Sequence, residues 1–241
     1  MKSNKLNQEL KSFENIWQGG YFTGYSETRN QKGIEEYLRS NLYGETLLEI
    51  GCGGGQWSKF IHNQKIFKKI YCIDALSAEH NKFWNYLGSS AKSSIQYEHV
   101  KNFKLDFLED NLIDFVFSYD VFCHISYSGI HSYLESIYRV CKKNAKIFIM
   151  YADPSKYLKS EPENRYHVSR YLPKNKFIYK FSDKKLISDA LDDSDGDPSE
   201  GRWYWVGEEK FTKLCLDVGF KILKKDLNID KTNPISLFTK I

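Results

Sequence analysis

The sequence predicts an α/β protein built on a mostly parallel sheet with helices on both faces. Short apolar runs alternate with longer segments whose apolar residues recur at helical spacing. Strands and helices that alternate in this way form a parallel sheet covered on both sides. A glycine-rich turn follows the first run and an acid ends the second, which suits a ligand at the carboxyl ends of the strands. The 241 residues fit one large domain, or one domain with a cap.

The strand candidates are short runs rich in branched and aromatic residues. They cover residues 46–50, 69–74, 95–100, 113–119, 146–151, 220–223 and 235–239. The helix candidates carry apolar residues three and four positions apart. They cover residues 31–42, 56–62, 78–88, 129–143 and 211–218. Of the helices, the fourth has the clearest apolar face, formed by Ile130, Tyr133, Leu134, Ile137, Tyr138 and Cys141. Gly219 follows the fifth, as a C-cap glycine would.

Two stretches depart from this alternation. Residues 1–30 combine glycines with aromatic side chains, and we predict that they form an arm or lid ahead of a domain spanning residues 31–241. Residues 152–202 interrupt the pattern after the fifth strand. Their first half is basic and rich in tyrosine, whereas their second half is acidic, and we predict a cap insertion there.

The glycine turn and the acid that follows it predict a ligand. Residues 48–57 read Leu-Glu-Ile-Gly-Cys-Gly-Gly-Gly-Gln-Trp, and Asp74 ends the next strand. Gly51, Gly53 and Gly55 carry no Cβ, so the backbone can approach a ligand closely. An acid at the tip of the second strand suits the two hydroxyls of a ribose. The two strand ends therefore predict a nucleoside-containing cofactor.

Two features argue against a dinucleotide. Its fingerprint places the third glycine three residues after the second, where this chain has Gln56. Glu49 would repel a diphosphate but suits the ammonium group of a cationic ligand. S-adenosylmethionine has an ammonium, a sulfonium and a ribose, and it has no phosphate. The E-x-G-x-G-x-G arrangement, followed by Asp74, resembles motif I of the class I S-adenosylmethionine-dependent methyltransferases.

The resemblance covers roughly residues 30–151 and 203–241. It implies a Rossmann-like sheet of seven strands that ends in an antiparallel edge hairpin, with S-adenosylmethionine as the cofactor. The residues that it implies for cofactor binding are Glu49, Gly51, Gly53, Gly55, Gln56, Trp57, Asp74, Asn102, Phe103 and Tyr119. Of these, Asn102 and Phe103 fall where the family contacts adenine, and an asparagine amide can both donate to and accept from an adenine edge. Alternatively, they belong to an ordinary strand and its preceding turn.

The residues after the fourth strand are candidates for catalysis, because an open α/β sheet places its ligands outside the carboxyl ends of the strands. Methylation of an alcohol requires loss of its proton as the oxygen attacks the methyl group. A histidine is a suitable base, and His124 is our candidate. Asp120 would orient His124 or bind a substrate hydroxyl. Alternatively, His124 packs at the start of the next helix and Asp120 caps the loop.

The acceptor is expected to be a small molecule or a sugar. The insertion begins where methyltransferases build acceptor pockets, and its basic residues and tyrosines suit an anionic glycan or a nucleotide-linked sugar. The arm, the Asp-Val-Phe-Cys-His block and the Trp-Tyr-Trp stretch at residues 203–205 are similar to enzymes that methylate sugars of surface glycans. The residues predicted to contact the acceptor are Tyr21, Tyr25, Arg165, His167, Arg170 and Trp203. Alternatively, the insertion is a solvated cap with some buried tyrosines.

No metal site is predicted. Asp193, Asp195 and Asp197 resemble a calcium loop in spacing alone, because Gly196 sits between the acids and the distal glutamate is absent. The net charge of +4 is scattered and does not predict a nucleic-acid partner. The five cysteines form no C-x-x-C pair and read as reduced residues of a cytoplasmic protein. No signal peptide and no apolar run of about 18 residues is present, so no membrane span is expected.

Three functions remain open at this point. O-methylation of a small molecule or glycan is the first. N-methylation of a metabolite or a protein is the second, although residues 118–121, Ser-Tyr-Asp-Val, lack the Asn-Pro-Pro-Tyr pattern that marks amide or base targets. The third is a nucleotide-sugar oxidoreductase or a non-catalytic cofactor-binding module.

Overall fold

The computed structural model describes residues 6, 8–13, 31–160, 183–192 and 203–241. Its strands are β1 (Thr46–Ile50), β2 (Lys69–Asp74), β3 (Ile95–His99), β4 (Ile113–Ser118), β5 (Cys141–Met150), β6 (Phe220–Lys224) and β7 (Ile235–Lys240). They form a seven-stranded sheet in the order β3-β2-β1-β4-β5-β7-β6. The first five strands pair in parallel, and β7 is antiparallel to both β5 and β6. The predicted fold class and its antiparallel edge hairpin are confirmed.

Helices cover both faces of this sheet. They are α1 (Gln31–Asn41), α2 (Gln56–Asn63), α3 (Phe83–Leu87), α4 (Tyr127–Val140), α5 (Pro154–Ser160), α6 (Asp183–Asp192) and α7 (Glu208–Val218). Side chains alternate across a strand, so Leu48 and Ile50 of β1 join a core with α4 and α7. Leu47 joins the opposite core, with α1 and α2. Both cores are apolar, which explains why the parallel strands read as nearly continuous hydrophobic runs.

The fourth helix shows how the sequence fixes an element and its limits. Ser126 is the N-cap of α4, and its hydroxyl accepts a hydrogen bond from the backbone N–H of Gly129 at 3.1 Å. The helix ends at Val140, and Cys141, predicted to be helical, is instead extended (φ −74°, ψ 140°) and begins β5. The strand therefore starts five residues earlier than the predicted residue 146. Its pairing with β4 shifts register between these points, and Asn144 has a φ of 66° there.

The third helix also differs from its predicted bounds. The helix predicted over residues 78–88 is shorter: α3 begins after Lys82, whose φ of 49° starts it from a left-handed residue. A short 3₁₀ helix, Ser89–Ser93, follows. The predicted C-cap is found where expected, since Gly219 is left-handed (φ 108°) and its N–H bonds the end of α7.

The described parts of the arm and of the insertion pack on the domain. Residues 8–13 are helical, and Leu10 is buried in the core that contains α4. From the insertion, Tyr157 and Leu158 of α5 and Leu186 of α6 join the opposite core. Among the described residues, no helix has the length and apolar character needed to cross a membrane.

Candidate active site

A pocket opens at the carboxyl ends of β1, β2 and β4. It contains eight of the residues predicted for the cofactor and for catalysis: Gly51, Gly53, Gln56, Trp57, Asp74, Tyr119, Asp120 and His124. The parallel strands explain this convergence, because their carboxyl ends meet at one edge of the sheet and the residues that follow them face each other. The remaining walls come from residues that the sequence did not single out, including Leu10, Phe13, Asn81, Ile125 and Tyr133.

The glycine turn is required by packing as well as by the approach of a ligand. Gly51 has a φ of 73°, and a Cβ there would lie 2.2 Å from the Cγ2 atom of Val121. Gly55 has a φ of 90°, and its Cβ would lie 2.2 Å from a methyl group of Leu87. Gly55 does not line the pocket, and its lack of a Cβ lets α2 begin close to α3; its predicted role in cofactor binding stays a prediction.

Asp74, at the end of β2, ties the glycine turn to the next loop. Its Oδ2 accepts a hydrogen bond from the backbone N–H of Gly53, and its Oδ1 accepts one from the N–H of Leu76, both at 2.9 Å. Burial raises the pKa of the Asp74 carboxyl, while these two hydrogen bonds act in the opposite direction. A carboxylate has about four lone-pair positions, so Asp74 keeps accepting capacity for a ligand hydroxyl.

Asn81 supports the same end of the pocket. Its side-chain N–H donates to the hydroxyl of Tyr97 at 2.9 Å, and that hydroxyl donates to the carbonyl of Leu76 at 2.7 Å. The asparagine also lowers the pKa of Asp74 through a side-chain hydrogen bond. No pattern in the sequence pointed to Asn81, because it lies in the irregular segment before α3 and reaches the pocket only through tertiary contacts.

Glu49 does not line the pocket. Its side chain points from β1 toward α2, where its Oε2 accepts a hydrogen bond from the Ser58 hydroxyl at 2.6 Å and lies 3.6 Å from the Cys72 sulfur. The residue is 2% exposed, and burial raises the pKa of its carboxyl to about 8. The structure thus buries this motif residue between β1 and α2, and its contact with a ligand ammonium stays a prediction.

The two residues predicted to contact adenine also lie outside the pocket. Asn102 is exposed, and its side-chain oxygen accepts a hydrogen bond from the N–H of Lys104 at 2.8 Å. Phe103 is buried edge-on against Tyr133, with ring centroids 4.9 Å apart. Tyr133 and Ile125 form the pocket wall in their place. The turn after β3 directs the Asn102 side chain back onto its own backbone, which a strand-based prediction could not anticipate.

An aromatic group lines the side of the pocket formed by α2 and β4. The ring centroid of Trp57 lies 5.9 Å from that of Tyr119 and 5.5 Å from that of Phe117. The Tyr119 hydroxyl donates to Asp230 at 2.6 Å, and burial together with that carboxylate raises the pKa of Tyr119. Asp230 is itself buried and belongs to the loop between β6 and β7. The edge hairpin therefore fixes a side chain of the pocket.

Asp120, Cys123 and His124 cluster in the segment after β4, and they are called the acceptor-end trio below; Asp120 and His124 line the pocket, and Cys123 is buried behind them. Asp120 has a φ of 61°, and its carboxylate accepts a hydrogen bond from the Cys123 thiol at 3.6 Å. Burial, with Asp120 nearby, raises the pKa of that thiol. One ligand-type atom from each residue of the trio lies within 4.8 Å of the other two. The sequence predicted no metal site, and the i, i+3 and i+4 spacing in a loop gave no signal for this group.

The residues predicted to bind the acceptor are only partly described. Trp203 does not line the pocket, but its ring packs edge-on against His124, with centroids 5.3 Å apart. Its neighbours Tyr204 and Trp205 are core residues, 1% and 2% exposed. The other candidates, Tyr21, Tyr25, Arg165, His167 and Arg170, lie outside the described residues.

A sheet in this order, with a glycine turn and an acid at neighbouring strand ends, defines a class I methyltransferase. The comparison with known families agrees: a sequence model described as a methyltransferase domain matches residues 22–225, and the chain belongs to that family. The protein is an S-adenosylmethionine-dependent methyltransferase, and S-adenosylmethionine is its cofactor. The oxidoreductase alternative is thereby set aside.

Solved structures show the same fold at low sequence identity. PH0226 protein from Pyrococcus horikoshii OT3 aligns with a TM-score of 0.64 and 14% identity, over 95% of this chain and 98% of that chain. The 1,6-didemethyltoxoflavin-N1-methyltransferase of Burkholderia thailandensis, solved with S-adenosylhomocysteine, aligns with a TM-score of 0.63 and 13% identity. The alignment covers 96% of this chain and 86% of that chain. A methyltransferase from Aquifex aeolicus aligns with a TM-score of 0.55 and 16% identity, over 98% of both chains. No curated protein matches the chain.

Proposed function

We propose that this methyltransferase transfers a methyl group to a hydroxyl of a small molecule or sugar, with His124 as the general base. The supporting observation is the composition of the pocket. It brings the glycine turn and Asp74 together with Asp120 and His124 in one pocket. A cofactor whose ribose is held by Asp74 would direct its methyl group toward the histidine.

The cofactor is proposed to lie along the carboxyl edge of the sheet. Asp74 would accept hydrogen bonds from the ribose hydroxyls, and Gly53 would present its backbone to the ligand. Leu10 and Tyr133 would contact the apolar parts of the adenosine, since both line the same wall. Gln56 and Trp57 would contact the methionine part, on the side where α2 begins.

The walls of the pocket suit the chemistry of a sulfonium. Methyl transfer to an alcohol consumes the sulfonium charge, because S-adenosylhomocysteine is neutral at sulfur and the alcohol proton is taken by the base. An apolar surrounding disfavours the charged ground state relative to a transition state in which that charge is dispersed. Ile50, Val121 and Ile125 supply such a surrounding beside the acceptor-end trio. In-line positioning of oxygen, methyl carbon and sulfur supplies most of the acceleration, and the base a smaller share.

A sugar acceptor is the more specific part of the proposal. Support for it comes from the position of Trp203, whose ring packs edge-on against the proposed base, because a sugar bound beside His124 would lie near an aromatic ring. The predicted contacts from Arg165, His167 and Arg170 stay predictions. N-methylation of a metabolite or a protein is the alternative, and it differs in chemistry because a neutral amine attacks before it loses a proton. An N-methyltransferase would therefore depend less on His124.

The test is a transfer assay with S-adenosylmethionine labelled in its methyl group. The acceptor panel contains sugars, nucleotide sugars, simple alcohols and phenols, and amines, and NMR of each product identifies the methylated atom. We expect label on oxygen. His124→Ala should lower turnover by about 10²-fold with unchanged affinity for S-adenosylhomocysteine.

The matched control is His131→Ala, which removes a partly exposed imidazole on α4 that lies 3.7 Å from Glu135. This variant should keep wild-type activity. Label on nitrogen alone, or full activity in His124→Ala, would refute the assignment of the base and favour the N-methylation alternative.

A further inference from the structure

A short helical segment near the N-terminus completes the cofactor pocket. Within residues 8–13, Leu10 and Phe13 line the pocket next to Ile125 and Tyr133. Leu10 is 3% exposed and belongs to the same core as β1 and α4. The wall proposed to contact the adenosine is therefore supplied by residues distant in sequence from the glycine turn.

One carboxylate holds this segment in place. The backbone N–H of Ser126 donates to Glu9 Oε1 at 2.6 Å, and the Ser126 hydroxyl donates to Glu9 Oε2 at 2.6 Å. Ser126 is the N-cap of α4, and its hydroxyl oxygen also accepts from the N–H of Gly129. A helix N-terminus presents free N–H groups and the positive end of the helix dipole, so it stabilises an anion.

We propose that Glu9 is a positioning residue for cofactor binding, acting through Leu10 and Phe13. Glu9 docks the N-terminal segment on the first turn of α4, and the docked segment retains S-adenosylmethionine and S-adenosylhomocysteine in the pocket. This inference rests on the proposed location of the cofactor, and it adds a residue that no sequence motif contains.

Burial makes the docking close to all-or-none. Glu9 is 3% exposed, and a buried carboxylate is tolerated only where hydrogen bonds satisfy it. When the segment undocks, both hydrogen bonds to Ser126 are lost together, and so is the wall formed by Leu10 and Phe13. The affinity for the cofactor then scales with the fraction of protein in which the segment is docked.

The helix that receives Glu9 also connects the two ends of the pocket. Ser126 lies two residues after His124, and Ile125 between them lines the pocket. Docking of Glu9 therefore anchors the loop that carries the proposed base. A loss of docking is expected to raise the KM for S-adenosylmethionine more than it lowers kcat at saturating cofactor, because the bound cofactor itself favours the docked state.

The experiment measures binding of S-adenosylhomocysteine to the full chain by calorimetry and its dissociation by stopped flow, with tryptophan fluorescence as the signal because Trp57 lines the pocket. The variants are Glu9→Gln, Ser126→Ala and the double substitution. Glutamine keeps the shape but replaces one accepting oxygen with an N–H group. We expect about tenfold faster dissociation in Glu9→Gln, since hydrogen bonds to charged groups shift equilibria by about that factor or more.

Two comparisons separate positioning from general stability. The fold-change in dissociation rate in the double variant should be smaller than the product of the fold-changes in Glu9→Gln and Ser126→Ala, because the two residues act through one contact. Glu109→Gln, which changes an exposed acid, should behave as wild type. Hydrogen exchange of residues 8–13 should increase in Glu9→Gln, with the thermal midpoint of the domain shifted little.

The outcomes are distinguishable. Wild-type binding that Asp74→Ala leaves unchanged would refute the location of the cofactor and, with it, the role of Glu9. Binding that depends on Asp74 but dissociates at the same rate from wild type and from Glu9→Gln would refute the role of Glu9 alone. Fully multiplicative effects in the double variant would also contradict it, because they would show that Glu9 and Ser126 act independently.

Discussion

The Glu49→Gln variant is expected to become more stable relative to wild type as pH rises. The Glu49 carboxyl lies under the glycine turn, accepts a hydrogen bond from Ser58 and is 2% exposed. Burial raises its pKa from 4.5 to about 8, so the folded protein holds this proton over a range in which the unfolded chain has released it. Glutamine keeps the size and the accepting oxygen but cannot ionise.

The sign follows from the number of bound protons. Between pH 4.5 and pH 8 the folded state binds more protons at this site than the unfolded state does, so stability falls as pH rises. The contribution of the neutral carboxyl to the free energy of unfolding is fully present below pH 4.5, the ordinary pKa of the group. It is lost progressively as pH rises to about 8, the pKa in the folded protein. One pKa unit corresponds to about 1.4 kcal/mol, so the total loss is on the order of 3–5 kcal/mol.

Urea unfolding at pH 6, 7, 8 and 9 would measure this difference. The free energy of unfolding of Glu49→Gln relative to wild type should grow by about 1.4 kcal/mol per pH unit up to pH 8 and then level off. Glu109→Gln, an exposed acid, should show no such slope. A difference that stays constant from pH 6 to pH 9, or that shrinks, would show that Glu49 is ionised in the fold and would refute the reasoning.

Three further predictions concern the pocket. Asp74→Ala should weaken S-adenosylhomocysteine binding by about 1–3 kcal/mol in calorimetry, and unchanged affinity would exclude Asp74 as the ribose ligand. Gly51→Val should lower the free energy of unfolding by about 3 kcal/mol or more in urea titrations, because its Cβ meets Val121 at 2.2 Å from a left-handed backbone; a near-neutral result would mean that the turn can relax. Methyltransferase activity should persist in EDTA if the acceptor-end trio works without a metal ion. If EDTA abolishes the activity and added zinc restores it, the trio is a metal site.

The glycine turn and the strands around it were predictable because their signals are local. The bounds of β1 and β2 were predicted correctly, since each is a compact apolar run bordered by polar or glycine residues. Gly219 was likewise identified as a C-cap, because only a residue without a Cβ is comfortable in the left-handed conformation that ends α7. Such features depend on a few neighbouring residues, which the sequence displays directly.

The start of β5 was not predictable in the same way. Cys141 continues the helical spacing of α4, and periodicity alone extends the helix through it. The chain leaves the helix at Val140 because the following residues pair with β4, starting with Ile113 opposite Cys141. Pairing with a strand more than twenty residues away overrides a local preference.

The pocket likewise contains residues that the sequence predicted and residues that only the tertiary structure identified. The sequence alone predicted that the glycine turn, Asp74 and the pair Asp120 and His124 would share one site. Each of these groups follows a strand, and parallel strands bring their carboxyl ends together. Only the tertiary structure decided that the Asn102 side chain turns back onto the backbone of Lys104 and that the Glu49 side chain is buried against Ser58. The direction of a side chain depends on what packs against it.

Only the tertiary structure could also bring Glu9 to Ser126 and place Leu10 in the wall of the pocket. The N-terminal segment carries no motif, and its contacts join residues more than one hundred positions apart. Local sequence determines which elements form and where a strand ends. The contacts that complete the pocket arise where distant elements share a core, because burial and hydrogen bonding there depend on all of the elements at once.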